Sequence, residues 1–351
     1  MAASGSAPSQ APDESGEAAA RGRAEPLVAQ LFAGLADGRF HSGEELAQRL
    51  GVSRSAVWKA ATSLRELGAT VHAVRNRGYR LAHSSEALDA VKIRDRLAHD
   101  VRDHVRHIEA LWSTPSTNTR LLERPNPAAG TSEVCLAEYQ SAGRGRRGRS
   151  WLAPPGGALC FSLSWTFREV PADFGALSLV MGVCALRVLK SLEVAGVALK
   201  WPNDLMAGDG KLGGVLIELR AESAGPACVI VGIGINVALG REVLKQIAAT
   251  GTVASDLASA GYGTLSRNAL AAALTAACLR GLRYYERDGL RPFIDEWCAA
   301  DALRGRPVTV SAGDETTRGL ARGIDLHGAL LVETPEGVRR FISGDVTVRP
   351  E

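Results

Sequence analysis

Three short stretches put charged and polar side chains at spacings that chemistry can use. "AEYQSAGRGRRGRSW" (residues 137–151) interleaves Arg144, Arg146, Arg147 and Arg149 with Gly145 and Gly148. Glycines let a backbone approach a ligand closely and take unusual angles. Arginines bring permanent positive charge on forked donors. The pair suits a phosphate, and Trp151 at the end suits an apolar ring. "KWPNDLMAGDGKLGG" (200–214) carries Lys200, Asp204 and Lys211. A lysine beside a substrate carboxylate can hold it for attack on a phosphate. Asp204 can bind a metal or neutralise a proton. "STPSTNTRLLERP" (113–125) reads as a helix capped by Ser116 or Thr117 and ending before Pro125. Free N–H groups and hydroxyls at such a start suit a polar or anionic ligand. Two familiar nucleotide devices do not fit. "GIGINV" (232–237) lacks the third glycine of the dinucleotide fingerprint, and "GDGKLGG" (208–214) lacks the spacing of a Walker loop.

The elements that must position these residues alternate between strands and helices. "VRHIEALW", "TSEVCLAEYQ", "GALCFSLSWTF", "VALKWPNDLMAGDGKLGGVLIELR" and "ACVIVGIGINVAL" read as strands. "DFGALSLVMGVCALRVLKSLEVAG" and "SRNALAAALTAACLRGLRYYERDG" read as long helices. The pattern predicts a mixed sheet packed against helices. The last fifty or so residues have short strands separated by "AGDE", "DLHG" and "TPEG" turns, which predicts a small β-barrel.

Residues 26–82 form a different unit. "PLVAQLFAGLADG" has helical periodicity, "HSGEELAQRLG" opens with a Ser42–Glu45 capping box, and Gly51 precedes "SRSAVWKAATSLRELG" with Ser53 as its N-cap. A hairpin around "RNRG" follows. Helix, turn, helix and hairpin make a winged helix-turn-helix. Arg54, Ser55 and Lys59, beside Ser53, then face the major groove. Arg75, Arg77 and Arg80 contact phosphates from the wing. The net charge is +3, yet residues 21–82 alone carry ten Lys/Arg against five Asp/Glu. That excess favours a polyanion at this end.

Bulk composition agrees with an ordinary globular protein: 46% hydrophobic and 23% charged residues. No uninterrupted apolar run approaches membrane length, so no membrane partner is expected. The first twenty residues read as a disordered tail without signal-peptide character. Six scattered cysteines show no C-x-x-C pair, which predicts buried free thiols in a reducing cytoplasm and no structural zinc.

Together "FHSGEELAQRLGVSRSAVWK", "STN", "AEYQSAGRGRRGRSW", "KWPNDL", "KLGGVLIEL", "GIGIN" and "RGIDLHGALLVET" resemble, in that order, the bifunctional biotin–protein ligase and biotin operon repressor family. The resemblance covers nearly the whole chain after residue 25. It implies an α+β multidomain protein. A disordered tail (1–24) precedes a winged-helix DNA-binding domain (25–83), a mixed-sheet α/β ligase domain (84–300) and an SH3-like C-terminal domain (301–351). It implies that biotin and ATP, with Mg²⁺ carried by the ATP and no dedicated metal site, give biotinyl-5′-adenylate. The acyl group then passes to a lysine of the biotin carboxyl carrier protein of acetyl-CoA carboxylase. It implies biotin operator DNA as a second partner, biotinyl-5′-adenylate as corepressor and a homodimer on ligand binding.

The resemblance also assigns residues. Ser116, Thr117, Asn118 and Gln140 contact the biotin ring. Arg144, Gly145 and Arg146 wrap the acyl-phosphate junction. Lys211 holds the carboxyl oxygen, and Asp204 assists the incoming lysine or metal. Trp151, Lys200, Asn203, Asn236 and Arg322 lie on the nucleotide side. The chain departs from the family pattern at Pro115, where an acidic residue is common, and at Gly213 in "KLGG". Residues 237–265, where the family has an adenylate-covering loop, offer no tryptophan. Two other readings remain: a non-catalytic sensor of a small acid, and a lipoate- or octanoate-type ligase. An Arg/Gly RNA binder would need repeated tracts, and there is one.

Overall fold

The computed structural model describes residues 14–168, 171, 173–220, 227–263, 265–312, 315–342 and 346–350. The N-terminal unit comprises α1 (Glu14–Leu35), α2 (Gly43–Leu50), α3 (Arg54–Glu66), β1 (Val71–Val74) and β2 (Gly78–Leu81). Helix α1 begins at Glu14, inside the segment expected to lack structure. Alanine, glutamate and arginine dominate residues 17–24, and these are strong helix formers. Residues 1–13 lie outside the described residues. Ser42 caps α2 by accepting from Glu45 N, while the Glu45 carboxylate turns back to His41 Nδ1 at 3.1 Å. Gly51 closes α2 at φ +65°, a left-handed angle that suits glycine. Leu31, Leu35, Leu46, Val57, Leu64 and Leu81 meet in this unit's own core.

The central unit continues with α4 (Ala90–Asp95), α5 (His99–Arg102), β3 (Val105–Thr114), α6 (Thr117–Leu122), β4 (Ser132–Gln140), β5 (Ala158–Phe167), α7 (Leu177–Ser191), β6 (Val197–Lys200), β7 (Asp204–Ala207), β8 (Gly210–Arg220), β9 (Ala227–Asn236), α8 (Arg241–Ala249), α9 (Arg267–Asp288) and α10 (Ile294–Ala299). Its seven-stranded sheet has the order β3-β4-β5-β9-β8-β7-β6. Only the β3/β4 pair is parallel. Alternation sorts the two faces. Val229, Val231, Ile233 and Ile235 of β9 join α7 and α9 in the main core. Gly232, Gly234 and Asn236 therefore face the other way, where α6 sits. Phe174–Ser191 is long and apolar enough to cross a membrane by composition, an amendment to the sequence reading. That stretch is 72% buried, as a core helix should be.

The C-terminal strands are β10 (Pro307–Ala312), β11 (Glu315–Ile324), β12 (Leu330–Thr334), β13 (Gly337–Phe341) and β14 (Val346–Pro350). They form an antiparallel sheet ordered β13-β12-β11-β10-β14. The expected barrel thus takes the form of a small five-stranded sheet, and among the described residues β13 and β14 do not pair. Part of the "AGDE" turn lies outside the described residues. Val308, Val310, Leu330 and Val332 merge with the central core. Trp201 Nε1 donates to Gly328 O at 3.0 Å across the junction.

Candidate active site and nucleic-acid interface

A cavity of about 680 Å³ opens on the glycine face of β9. Its walls come from the start of α6, the Arg/Gly loop, the β6–β8 segment and the loop after α8. One end is polar and uncharged. Ser116 caps α6, and Thr117 and Asn118 follow it, all buried. Thr117 donates from N (2.8 Å) and from Oγ1 (3.2 Å) to Gln140 Oε1. Ser162 donates to Thr117 Oγ1 at 2.7 Å and lies 2.5 Å from Asn118 Oδ1. Asn118 Nδ2 donates to Glu218 Oε2 at 2.7 Å. Hydrogen bonds thus orient Thr117, Asn118 and the Gln140 carbonyl within this end.

The other end is cationic. Arg144, Arg146, Arg147, Arg149, Lys200 and Lys211 line the cavity against Asp204 and Asp209. Such an excess fits an anion carrying several charges. The Arg/Gly loop is a closed hairpin. Gly145 N donates to Arg149 O at 2.7 Å, Trp151 N to Gly143 O at 2.9 Å, and Arg144 bridges Ser150. Arg147 at φ +57° and Gly148 at φ +70° make the turn. Arg144 donates to Thr119 Oγ1 (2.9 Å) and pairs with Glu218 (3.1 Å), which ties the loop to the polar end. Arg146 Nη1 reaches Asn203 Oδ1 at 3.3 Å. Lys211 Nζ is 2.6 Å from Asp204 Oδ1 and 5.9 Å from the centre of the Trp151 ring.

Two glycines make room. A Cβ at Gly232 would stand 2.4 Å from Asn118 Oδ1, and one at Gly234 would stand 2.5 Å from Trp151. The cavity also touches Cys160, whose thiol burial pushes up to about 12. Burial thus favours the neutral thiol there.

The structure brings Ser116, Thr117, Asn118, Gln140, Arg144, Gly145, Arg146, Trp151, Lys200, Asn203, Asp204, Lys211 and Asn236 to one cavity. Two of these also brace the wall. Asn236 spends Nδ2 on Lys211 O (3.1 Å) and Ser255 O (2.9 Å), so it braces the wall. Asn203 Nδ2 bonds Val215 O at 2.7 Å while its Oδ1 holds Arg146. Arg322 is not brought there: it lies on β11, paired with Glu333 of the neighbouring strand. Both partners of that pair are about half exposed. Ser162 and Glu218 were missed, because they support α6 from behind and carry no motif of their own. The segment after α8 is anchored without a tryptophan. Lys211 N donates to Val253 O (2.8 Å) and Ser255 N to Lys211 O (2.9 Å), which sets Thr250–Ala254 along the cavity.

The N-terminal unit has a second candidate surface. Ser53 Oγ accepts from Ala56 N (3.2 Å) and shares a hydrogen bond with Ser55 Oγ (2.8 Å), so both hydroxyls are used in starting α3. Arg54 and Lys59 are exposed, as are Arg75 and Arg77 on the wing. Arg77 and Arg80 stack on the Phe40 ring at 4.2 and 5.0 Å, and Arg80 is half-buried. Arg80 is therefore a prop of the wing more than a free phosphate contact.

The sequence profile of the Biotin/lipoate A/B protein ligase family matches residues 111–236. A profile described as HTH domain matches 29–80, and one described as Biotin protein ligase C terminal domain matches 304–349. The chain is 39% identical over 319 residues to the Bifunctional ligase/repressor BirA of Salmonella typhimurium, covering 91% of this chain and 96% of that one. It is 32% identical to the protein of the same description from Bacillus subtilis, over 89% of this chain and 94% of that one. Among solved structures, the biotin protein ligase from Aquifex aeolicus in complex with biotin and ATP superposes with a TM-score of 0.59 at 27% identity. That match covers 71% of this chain and 99% of the other.

Proposed function

The chain belongs to the family of bifunctional biotin ligase/repressor proteins, and we propose from that premise how its cavity divides the work. The protein is a biotin protein ligase. The single observation that carries the mechanism is a bipolar cavity, uncharged and preset at one end, cationic at the other. Thr117, Asn118 and Gln140 receive the polar biotin ring, with Ser116 holding the start of α6. The biotin carboxylate reaches toward Lys211. Its oxygen attacks the α-phosphorus of magnesium–ATP, a P–O bond breaks, and pyrophosphate leaves. Arg146 and Arg144 stabilise the charge that gathers on the transferring group, and Trp151 covers the adenylate.

In the second step the carrier lysine amine attacks the acyl carbon, and AMP departs with the bonding pair. Asp204 lies within reach of Lys211 and receives the proton of the incoming amine. Magnesium arrives with the nucleotide. The carrier is the biotin carboxyl carrier protein of acetyl-CoA carboxylase, and the reaction takes place in the cytoplasm.

The helix-turn-helix unit gives the protein its repressor role. Biotinyl-5′-adenylate serves as corepressor by favouring a homodimer that fits a two-fold operator. A ligand shifts that equilibrium only by its differential affinity for the two states. The test has two arms. Protein, biotin, magnesium–ATP and carrier should yield one biotinylated lysine by mass spectrometry. Arg54→Ala should keep that activity and weaken operator binding. An unmodified carrier would overturn the ligase assignment, and an unaltered shift with Arg54→Ala would overturn the major-groove one.

A further inference from the structure

We propose that Trp58 reads thymine methyl groups in duplex DNA, an inference that rests on the repressor reading above. Trp58 is 56% exposed on α3. A lone exposed tryptophan says little, so its surroundings decide. At about 100° per residue, Arg54, Ser55, Trp58, Lys59 and Thr62 share one side of the helix. Val57, Ala60, Ala61 and Leu64 are buried on the opposite side. Trp58 thus lies within the face that the fold turns away from its own core.

The remaining members of that face narrow what Trp58 can do. Ser53 and Ser55 hydroxyls bond each other, and Thr62 Oγ1 donates to Trp58 O at 3.0 Å. Arg54 and Lys59 are exposed cations, with Arg75 and Arg77 exposed on the wing nearby in the same unit. This charge complements a nucleic-acid backbone. Trp58 is the apolar probe on a cationic face. The second helix of a helix-turn-helix enters the major groove, where the apolar feature of the base edges is the thymine 5-methyl group. An indole pressed against that methyl excludes water from both and gives a preference that neither arginine nor lysine supplies.

The experiment starts with selection from a randomised duplex pool, using the full-length protein with biotin and magnesium–ATP. Each thymine of the selected site is then replaced by uracil, which removes only the methyl. At one or more positions per half-site the replacement should weaken wild-type binding about fivefold, a discrimination at the low end for base contacts. Trp58→Ala should weaken the thymine site by a similar factor and respond to uracil less than about twofold. Persisting uracil sensitivity in Trp58→Ala would overturn the proposal. So would a wild type that ignores uracil at every position. A Trp58→Ala protein with altered self-association and unchanged base preference would assign the residue to a protein contact instead. If the wild type enriches no duplex, the repressor reading fails first and this one with it.

Discussion

Replacing Gly232 or Gly234 by alanine should separate the two ends of the cavity. Neither glycine has a positive φ, so the backbone accepts a side chain at both positions. The obstacle is space. The new Cβ would sit 2.5 Å from Trp151 carbons at position 234 and 2.4 Å from Asn118 Oδ1 at position 232. Ordinary contact lies at 3.4 Å and beyond, so each neighbour must retreat by roughly 1 Å. Strand β9 is hydrogen-bonded between β5 and β8 and cannot yield. The side chains must move instead, at a stability cost of about 1–3 kcal/mol for overpacking. A displacement of that size at a positioning group costs on the order of 10²-fold in rate. Gly234→Ala should therefore lower biotin-dependent ATP–pyrophosphate exchange about a hundredfold at saturating biotin. Gly232→Ala should mainly raise the KM for biotin, because Asn118 belongs to the uncharged end. Urea midpoints measured alongside confirm that both variants fold. A folded Gly234→Ala protein with full exchange would refute the placement of Trp151 as a wall that the reaction needs.

Three further outcomes are expected. Arg146→Ala should keep the fold and lower adenylate formation by about 10²–10³-fold, as for loss of one charge-stabilising donor; unchanged adenylate retention in a filter assay would count against its phosphate role. Glu218→Gln should raise the KM for biotin about tenfold with a smaller change in kcat, because a charge-assisted bond to Asn118 and Arg144 is replaced by a neutral one; an unaltered KM would remove Glu218 from the positioning of the polar end. Asp301 is pushed up to about 6 by burial, and its Oδ2 is buried without a hydrogen bond. The folded state therefore prefers the protonated carboxyl. That stability is fully present below the unfolded value near 3.8 and is lost as pH rises through about 6. Asp301→Asn should flatten the profile and gain on the order of 2 kcal/mol over wild type at neutral pH; parallel denaturation curves from pH 4 to 8 would contradict this.

Local signals in the sequence were reliable where local physics decides. Ser42, Ser53 and Ser116 cap the helices they were expected to cap, and Gly51 ends α2. The segment read as a strand at "ACVIVGIGINVAL" forms β9. What the sequence hid was set by partners far along the chain. Glu218 meets Asn118 one hundred residues away, and Ser162 meets it at a separation of 44. Neither lies in a recognisable motif, since each works by holding a residue that does. Arg322 is a related case: its motif sits on β11, where its guanidinium pairs with Glu333 of the neighbouring strand. The Arg/Gly loop was legible as a site but not as a hairpin, because that shape is set by backbone bonds such as Gly145 N to Arg149 O, which side-chain types do not announce.

The most direct test of the central claim is ATP–pyrophosphate exchange by the purified full-length protein with magnesium, offering biotin, lipoate and octanoate in parallel. It needs neither carrier nor operator. The account predicts exchange with biotin and none above background with the other two acids. Exchange with lipoate or octanoate in place of biotin would contradict the assignment of the uncharged end, and a folded protein that exchanges with no acid would contradict the ligase itself.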